Sequence, residues 1–382
     1  MIRFAIVLII TFFVSLHWGA ILYVNSSLLS NFFTPDIISI FFLLGGVGNV
    51  ILFLLAPKLI ERLGKHRLLL SFLILAAVST LNLAWATTEA LVAISFIIYA
   101  STIYMIFYCF DIFLEELSTD TKTGEIRGIY IATIHLGLIL GLFMLTVLAI
   151  ADVLKYVYIA ATVLLVPPIL FTIFSLKTSS PTWHGLHRHH ALLPFGLWWR
   201  TRSIRRATLA RFSLEFFYTF MTIYAPLYLH SVLGFEWNVI GTMFIVMLLP
   251  FIFFQWPVGK LADHFIGEKE LMIIGFLLMI VSLLFMPYLE AVVIVWTLAL
   301  LLSRVGASLV EITTDSYFFK HISAYDIRLL SIFRLTRPAS IVLGTAVGAI
   351  SLNIFSFEKI FFVLALVVFF GLKESLLIKD TL

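Results

Sequence analysis

The composition of this sequence is that of a membrane protein with many spans. The chain has 382 residues, of which 62% are hydrophobic and only 12% are charged, whereas soluble domains are about 45–50% apolar and about 25% charged. A soluble fold of this length could not bury so much apolar surface. Cytosolic enzymes, nucleic-acid-binding domains and secreted disulfide-linked scaffolds are therefore excluded as descriptions of the whole chain. The formal charge is +4, and the basic residues lie between apolar runs, where they indicate membrane topology. The single cysteine, Cys109, excludes an intrachain disulfide bond.

Apolar runs separated by charged breaks predict twelve membrane-spanning helices, each close to the roughly 20 residues that a bilayer requires. The first run has no small-residue cleavage site, so we expect a retained helix there rather than a signal peptide. In chain order, spans 1 to 12 are predicted near residues 3–25, 36–56, 67–87, 90–112, 127–150, 155–176, 206–229, 238–258, 270–288, 291–314, 326–352 and 357–376.

The basic residues between the spans predict an orientation. Lysines and arginines collect in the gaps after even-numbered spans, and only Lys155 and Lys359 accompany the gaps after odd-numbered spans. Because cytoplasmic loops are enriched in lysine and arginine, we expect both termini on the cytoplasmic side of the plasma membrane.

The longest polar interruption, residues 177–205, divides the chain into an N-terminal bundle of six helices (1–176) and a C-terminal bundle of six (206–382). This linker is basic and contains the run HGLHRHH. Imidazole is a common metal ligand, but no acid or cysteine accompanies the run, and we assign no metal site. The alternative is a basic linker that lies against anionic lipid headgroups.

Two loops of the sequence are alike. Residues 56–67 (APKLIERLGKHR) follow span 2, and residues 259–269 (GKLADHFIGEK) follow span 8. Near the ends of spans 4 and 10, Asp111 and Asp315 lie at nearly the same offset. Such duplication is typical of transporters whose halves rock about a site near the middle of the membrane.

These loops resemble the signature of the major facilitator superfamily, G-x-L-A-D-R-x-G-R-K between helices 2 and 3, with a degenerate copy between helices 8 and 9. The first copy departs from the signature at Pro57, in place of glycine, and at Glu61, in place of aspartate. The resemblance implies an all-α integral membrane protein with twelve transmembrane helices in two pseudo-symmetric six-helix bundles. The matching positions are Leu59, Glu61, Arg62, Gly64 and Lys65 in the first loop, and Gly259, Leu261, Ala262, Asp263, Gly267 and Lys269 in the second.

The resemblance also implies that the two loops form a cytoplasmic gate. Glu61 would face the start of span 11 near Asp326, and Asp263 would face the start of span 5 around residues 125–127. Arg62 and Lys65 would pair with Asp111 or Glu115 at the end of span 4. The alternative is that these are ordinary topology charges at helix ends. The predicted gate residues are Glu61, Arg62, Gly64, Lys65, Asp111, Glu115, Gly259, Asp263, Gly267, Lys269 and Asp315.

Charged residues within spans are informative because each costs about 2.5–3.5 kcal/mol at the centre of a membrane. Span 7 carries Arg211 and Glu215, which share one helix face, and span 10 carries Arg304 and Glu311. In the family that the sequence resembles, spans 1, 4, 7 and 10 line a central cavity. We therefore predict a Glu215–Arg304 pair across that cavity, and the alternative is a fixed structural salt bridge. The predicted cavity residues are Glu215, Arg304, Arg211, Glu311, His17, Trp18, His135 and Tyr218.

The sequence lacks the motifs of several classes of enzyme. The sequence has no phosphate-binding G-x-x-x-x-G-K-[ST] loop, no H-E-x-x-H motif and no G-x-S-x-G motif. We expect no cofactor and no enzymatic activity, and an ion gradient would have to drive transport. The carboxylates of Glu215 and Glu311 are the expected proton carriers, and either His17 or His135 could relay a proton or be an ordinary buried histidine.

The predicted function is secondary transport of a small molecule by alternating access, with the proton as coupling ion and a monomer as the working form. Efflux of amphipathic compounds is slightly favoured over nutrient uptake. An intramembrane enzyme acting on a lipid-linked substrate is an alternative, but the sequence lacks a catalytic cluster for it. A membrane sensor or scaffold is another, but the loops are too short for a soluble output domain.

Overall fold

The computed structural model describes residues 2–22, 24–33, 35–117, 122–148, 154–176, 194–323 and 326–379, and every regular element in these ranges is helical. Short 3-10 turns follow α13 and precede α16. The α-helices are α1 (Ile2–Leu22), α2 (Val24–Ser30), α3 (Pro35–Leu63), α4 (Lys65–Trp85), α5 (Glu89–Glu115), α6 (Thr123–Leu148), α7 (Leu154–Leu164), α8 (Val166–Phe174), α9 (Pro194–Arg200), α10 (Arg202–Ser231), α11 (Trp237–Phe253), α12 (Gln255–His264), α13 (Glu268–Phe285), α14 (Val293–Lys320), α15 (Ile327–Ile354) and α16 (Ile360–Leu376).

These helices account for the twelve predicted spans. Ten helical segments among the described residues are long and apolar enough to cross a membrane, and α10 and α16 cover spans 7 and 12. Span 6 is divided into α7 and α8, and span 8 into α11 and α12. Prolines explain both breaks, because the rings of Pro168 and Pro257 would clash with carbonyls one turn earlier.

Three helices continue six or seven residues beyond their predicted ends. Helix α12 runs to His264 instead of ending near residue 258. Helix α3 runs through Pro57 to Leu63, so most of the first motif is helical rather than a loop. Helix α14 runs to Lys320 instead of ending near residue 314. The apolar pattern marks only the part of a helix that lipid covers, and segments with charged residues extend all three helices beyond it.

The structure consists of two compact units. Unit 1 takes in the described residues of Met1–Leu117, Thr133–Ala191 and Ala324–Arg334, and unit 2 those of Ser118–Ala132, Leu192–Ser323 and Leu335–Leu382. The first part of α6 is thus packed in unit 2, and the first part of α15 in unit 1. The four linker histidines (His184, His187, His189 and His190) lie outside the described residues.

In unit 1, α6 packs closely on α1 through two glycines four residues apart. A Cβ atom on Gly137 would lie 2.8 Å from the carbonyl oxygen of Phe12, and one on Gly141 would lie 2.7 Å from the backbone nitrogen of Ala20. Only glycine allows the backbones to approach so closely. The pair Gly137 and Gly141 therefore has the packing role that its spacing suggests.

Unit 2 repeats this packing with α15 on α10. A Cβ atom on Gly344 would lie 3.1 Å from Cγ2 of Thr219, and one on Gly348 would overlap the ring of Tyr224. These two glycines have the same spacing as the pair on α6. The two units therefore use the same helix contact at corresponding places, as expected for a duplicated chain.

Candidate functional site

In each of the two signature segments, the chain reverses direction at a glycine. Gly64 precedes α4 with a φ of 75°, and Gly267 precedes α13 with a φ of 85°. This left-handed region favours glycine because a Cβ atom would be strained there. The two turns occupy corresponding places in the two halves, so the repeat seen in the sequence is also a repeat of backbone conformation.

Asp263 caps the start of α6 in unit 2. Its carboxylate accepts hydrogen bonds from the backbone nitrogens of Gly124 (3.0 Å) and Glu125 (2.8 Å), both in the first turn of that helix. These amides have no partner within the helix, and the positive end of the helix dipole favours an anion. The contact expected between Asp263 and the start of span 5 is therefore present.

Glycines bring α12 and α6 together at this cap. A Cβ atom on Gly259 would lie 2.7 Å from the carbonyl carbon of Gly124, and one on Gly128 would lie 2.8 Å from Cα of Trp256. The glycine at position 259 of the signature is thus explained by the close approach of the two backbones. Without it, Asp263 would be displaced from the amides that it caps.

Each unit holds an arginine of one helix against an aspartate at the end of another. In unit 1, Arg334 makes a two-bond contact with Asp111, with Nε to Oδ2 at 2.6 Å and Nη2 to Oδ1 at 2.8 Å. In unit 2, Nη1 of Arg127 lies 3.8 Å from Oδ2 of Asp315, and both side chains are buried. The guanidinium of Arg127 also covers the ring of Phe319 at 3.1 Å. The two aspartates that the sequence places at matching offsets thus have the same kind of partner.

A second repeated contact carries opposite charges in the two units. Lys65, directly after the first turn glycine, contacts Glu116 beyond the end of α5. Glu268, directly after the second turn glycine, contacts Nζ of Lys320 at 2.5 Å, and Lys320 also reaches Asp263 at 3.0 Å. Lys320 ends α14, the helix that corresponds to α5. The residue after the turn glycine therefore contacts the end of the corresponding helix in both units, but the acid and the base have exchanged positions.

Several contacts of the predicted gate residues differ from those expected. Lys65 contacts Glu116, one residue beyond the expected Glu115, and Asp111 is held by Arg334. Glu61 and Arg62 are exposed on the last turn of α3, so the expected contact of Glu61 with span 11 stays a prediction. Sequence reasoning missed four participants, and the only signal for them is the regular offset between the two halves. These are Glu116, Glu268, Lys320 and, as the partner of Asp111, Arg334.

A buried polar network lies in unit 2 within the membrane spans. Arg211 donates from Nε (2.9 Å) and Nη2 (2.7 Å) to Oε1 of Glu215, one turn later on α10. The same guanidinium reaches the side chain of Glu311 at 3.4 Å. Nε2 of Gln255 donates to the other oxygen of Glu311 at 2.9 Å. Two carboxylates, one arginine and one amide therefore form a connected network.

Two further arginines border this network. Nε of Arg337 lies 4.0 Å from Oε2 of Glu215, and the Arg337 side chain is 43% exposed. The guanidinium of Arg304 lies over the rings of Phe217 (5.0 Å) and Tyr218 (5.5 Å). The hydroxyl of Tyr218 is buried and has no hydrogen-bond partner among the described residues.

Glu215 thus has an arginine partner on its own helix. Residues four apart on one helix are neighbours, and Nη2 of Arg211 lies 2.7 Å from Oε1 of Glu215. The expected Glu215–Arg304 pair is not among the contacts described and stays a prediction. Gln255 was missed, because a glutamine side chain carries no distinct sequence signal.

The other predicted cavity residues belong to unit 1. Nδ1 of His17 lies 2.8 Å from the carbonyl oxygen of Ala161, while its buried Nε2 atom has no hydrogen-bond partner in the part of the chain that the structure describes. Trp18 is buried against the ring of Tyr104. His135 is half-buried on α6. Among the described residues, no group of three or more His, Cys, Asp or Glu side chains is arranged to hold a metal ion.

Comparison with known proteins places the chain in a family. Residues 7–327 match the family model of the Major Facilitator Superfamily. No protein of curated function matches the sequence.

Solved structures match over almost the whole chain. A form of the E. coli fucose:proton symporter FucP matches with a TM-score of 0.83 and 16% identity, covering 100% of this chain and 99% of that one. FucP in the outward conformation matches with a TM-score of 0.82 and 14% identity over the same shares. The human organic anion transporter MFSD10 (TETRAN) matches with a TM-score of 0.80 and 16% identity, covering 97% of this chain and 98% of that one. The chain belongs to the Major Facilitator Superfamily and is an integral membrane transport protein rather than an enzyme.

Proposed function

We propose that this protein is a monomeric, proton-coupled secondary transporter that moves a small molecule across the plasma membrane by alternating access. The observation that carries the proposal is the buried network of Arg211, Glu215, Glu311 and Gln255 in unit 2. Burying ionised groups in a membrane protein is expensive, and such groups generally mark ion or substrate pathways.

The network offers a way to couple a proton to a substrate. Glu215 binds Arg211 while it is ionised. Protonation removes that charge and weakens the pairing, because an arginine stabilises the ionised form of a neighbouring carboxylate. Arg211 then becomes available to a polar group of the substrate, so proton binding and substrate binding depend on each other.

The proposed cytoplasmic gate consists of the Asp263 cap and the two arginine–aspartate pairs. Each joins helices that come from opposite halves of the sequence, α12 with α6, α14 with α6, and α5 with α15. We expect these contacts to break when the transporter opens towards the cytoplasm. The basic loops after even-numbered spans support the cytoplasmic placement and the cytoplasmic termini.

For the direction of transport, efflux of amphipathic compounds is our first candidate. Arg304 beside the rings of Phe217 and Tyr218 combines charge with aromatic surface, which suits molecules that are partly apolar. Nutrient uptake is the second candidate. One matched structure is of a fucose:proton symporter and another of an organic anion transporter, so the fold accommodates both sugars and organic anions.

Transport by purified protein in proteoliposomes tests the proposal. A panel of radiolabelled sugars, organic anions and lipophilic cations is offered with and without an imposed pH gradient. With any compound that wild-type protein accumulates, Glu215→Gln should abolish gradient-driven accumulation but retain exchange at equal concentrations. Glu290→Gln, an exposed acid between α13 and α14, is the matched control and should behave as wild type. Unchanged gradient-driven accumulation by Glu215→Gln would remove the network from the coupling mechanism.

A further inference from the structure

We infer that the corner between α9 and α10 is a binding surface for anionic phospholipid headgroups. The inference concerns an interaction with the membrane and does not depend on the transport proposal. Residues 194–206 combine positive charge, exposed aromatic side chains and a fixed backbone corner.

The sequence around the corner is strongly basic. No aspartate or glutamate occurs between residues 153 and 214, whereas four arginines lie within seven residues. Arg206 is directed to the backbone carbonyl of Leu377 at the end of α16. Arg200 and Arg202 are exposed. The corner therefore presents positive charge to its surroundings without any acid of its own segment to balance it.

The corner also presents apolar and aromatic side chains. Trp199 is 65% exposed, and Phe195 and Leu197 are exposed beside it on α9. Tryptophan is enriched at the level of the headgroups, where its ring suits the boundary between lipid and water. Exposed aromatic and basic side chains on the same short segment are typical of a helix that lies in the membrane interface.

Hydrogen bonds fix the shape of this surface. Thr201 separates the two helices with an extended backbone. Nη1 of Arg205 donates to the carbonyl oxygen of Trp199 at 2.6 Å, and its guanidinium lies 4.8 Å from the centre of the Trp199 ring. Ile204 is buried and anchors the start of α10 in unit 2. The arginines and the tryptophan are thus held on a defined corner at the start of a membrane span.

An anionic lipid fits this surface better than other partners do. Arginine binds phosphate through several donors at once, and each basic residue close to an anionic membrane surface gains about 1 kcal/mol. Trp199 would rest at the headgroup level while Arg200 and Arg202 reach the phosphates. The apolar side chains require a partner with an apolar interior, which a lipid leaflet provides and free phosphate does not.

Quenching of tryptophan fluorescence by brominated lipids tests the inference on the full chain in nanodiscs. The signal of Trp199 is the difference between wild type and Trp199→Phe. Nanodiscs contain a small fraction of acyl-brominated phosphatidylglycerol or, separately, the same fraction of acyl-brominated phosphatidylcholine. We expect Trp199 to be quenched more by the anionic lipid, and the preference to fall about fivefold for each exposed arginine removed.

Matched variants distinguish specific lipid binding at the corner from a general effect of surface charge. Arg200→Gln with Arg202→Gln should lose the preference, and Arg200→Lys with Arg202→Lys should retain most of it. Lys58→Gln with Arg67→Gln removes two exposed charges elsewhere and should leave the preference of Trp199 unchanged. Equal quenching of Trp199 by both lipids, or equal loss in the control pair, would overturn the inference. The absence of Trp199 quenching by either lipid would also overturn the inference. So would a loss of the preference in inorganic phosphate that sodium chloride of equal ionic strength does not cause, because free phosphate would then be the ligand.

Discussion

Reversing the charge of Lys65 should lower the thermal stability of the protein through its contact with Glu116. The side chains are 5% and 30% exposed. The pair therefore lies between exposed ion pairs, worth about 0.2–1 kcal/mol, and buried pairs, whose disruption costs about 3–5 kcal/mol. We expect Lys65→Glu to destabilise the protein by about 2 kcal/mol, which includes the loss of the ammonium group from its position 4.6 Å from the ring of Phe113.

The double variant Lys65→Glu with Glu116→Lys should recover most of this loss. It reproduces in unit 1 the charge order that unit 2 has at Glu268 and Lys320. The recovery should fall short of wild type by about 0.5–1 kcal/mol, because the cation–π contact with Phe113 is not restored. The coupling energy of the cycle should therefore be at least about 1 kcal/mol and favourable.

The measurement is the midpoint of thermal unfolding in detergent, followed by intrinsic fluorescence at one heating rate. Lys373→Glu makes the same charge change on a side chain that is 59% exposed, and it should shift the midpoint by much less than Lys65→Glu. A double variant as unstable as the sum of the two single variants would refute the reasoning. It would show that this contact carries no pairing energy and that the two units are not equivalent there.

The number and approximate position of the helices could be predicted because lipid imposes a simple rule. A span must be apolar over about 20 residues, and α1, α4 and α13 follow that rule closely. The ends were less predictable where charged residues continue a helix beyond the apolar run, as at Leu63 and Lys320. The breaks before α8 and α12 depend on the local effect of prolines, which hydropathy does not register.

The contacts of the proposed gate could be predicted only where the backbone itself is constrained. Gly64, Gly267 and Asp263 have roles that their residue types dictate, namely a positive φ and a helix cap. The ion pairs depend on which side chains two helices bring together, and sequence alone does not give that register. The pairing of Lys65 with Glu116 differs by a single residue from the expected pairing, and on a helix one residue is a rotation of about 100°.

In the unit 2 network, too, the participating charged residues could be predicted but their pairing could not. The cost of a charge in lipid identified Arg211, Glu215, Arg304 and Glu311 as a group. Their pairing was not predictable in detail, because Arg211 reaches two carboxylates at once. The participation of Gln255 follows from the break before α12, since it is the first residue of that helix.

Two further predictions concern the gate packing and the orientation. Gly259→Ala should lower the unfolding midpoint, because its Cβ atom would meet the backbone of α6 and overpacking costs about 1–3 kcal/mol; Gly46→Ala, with open space around it, should be neutral or slightly stabilising. Orientation can be measured with a membrane-impermeant maleimide on intact cells, because the native thiol, Cys109, is buried. Glu290→Cys follows span 9 and should react from outside, whereas Phe265→Cys, also exposed but following span 8, should react only after the cells are opened. Labelling in the reverse order would mean that the basic loops face outward, and the contacts of Asp263 with α6 would then belong to an external gate.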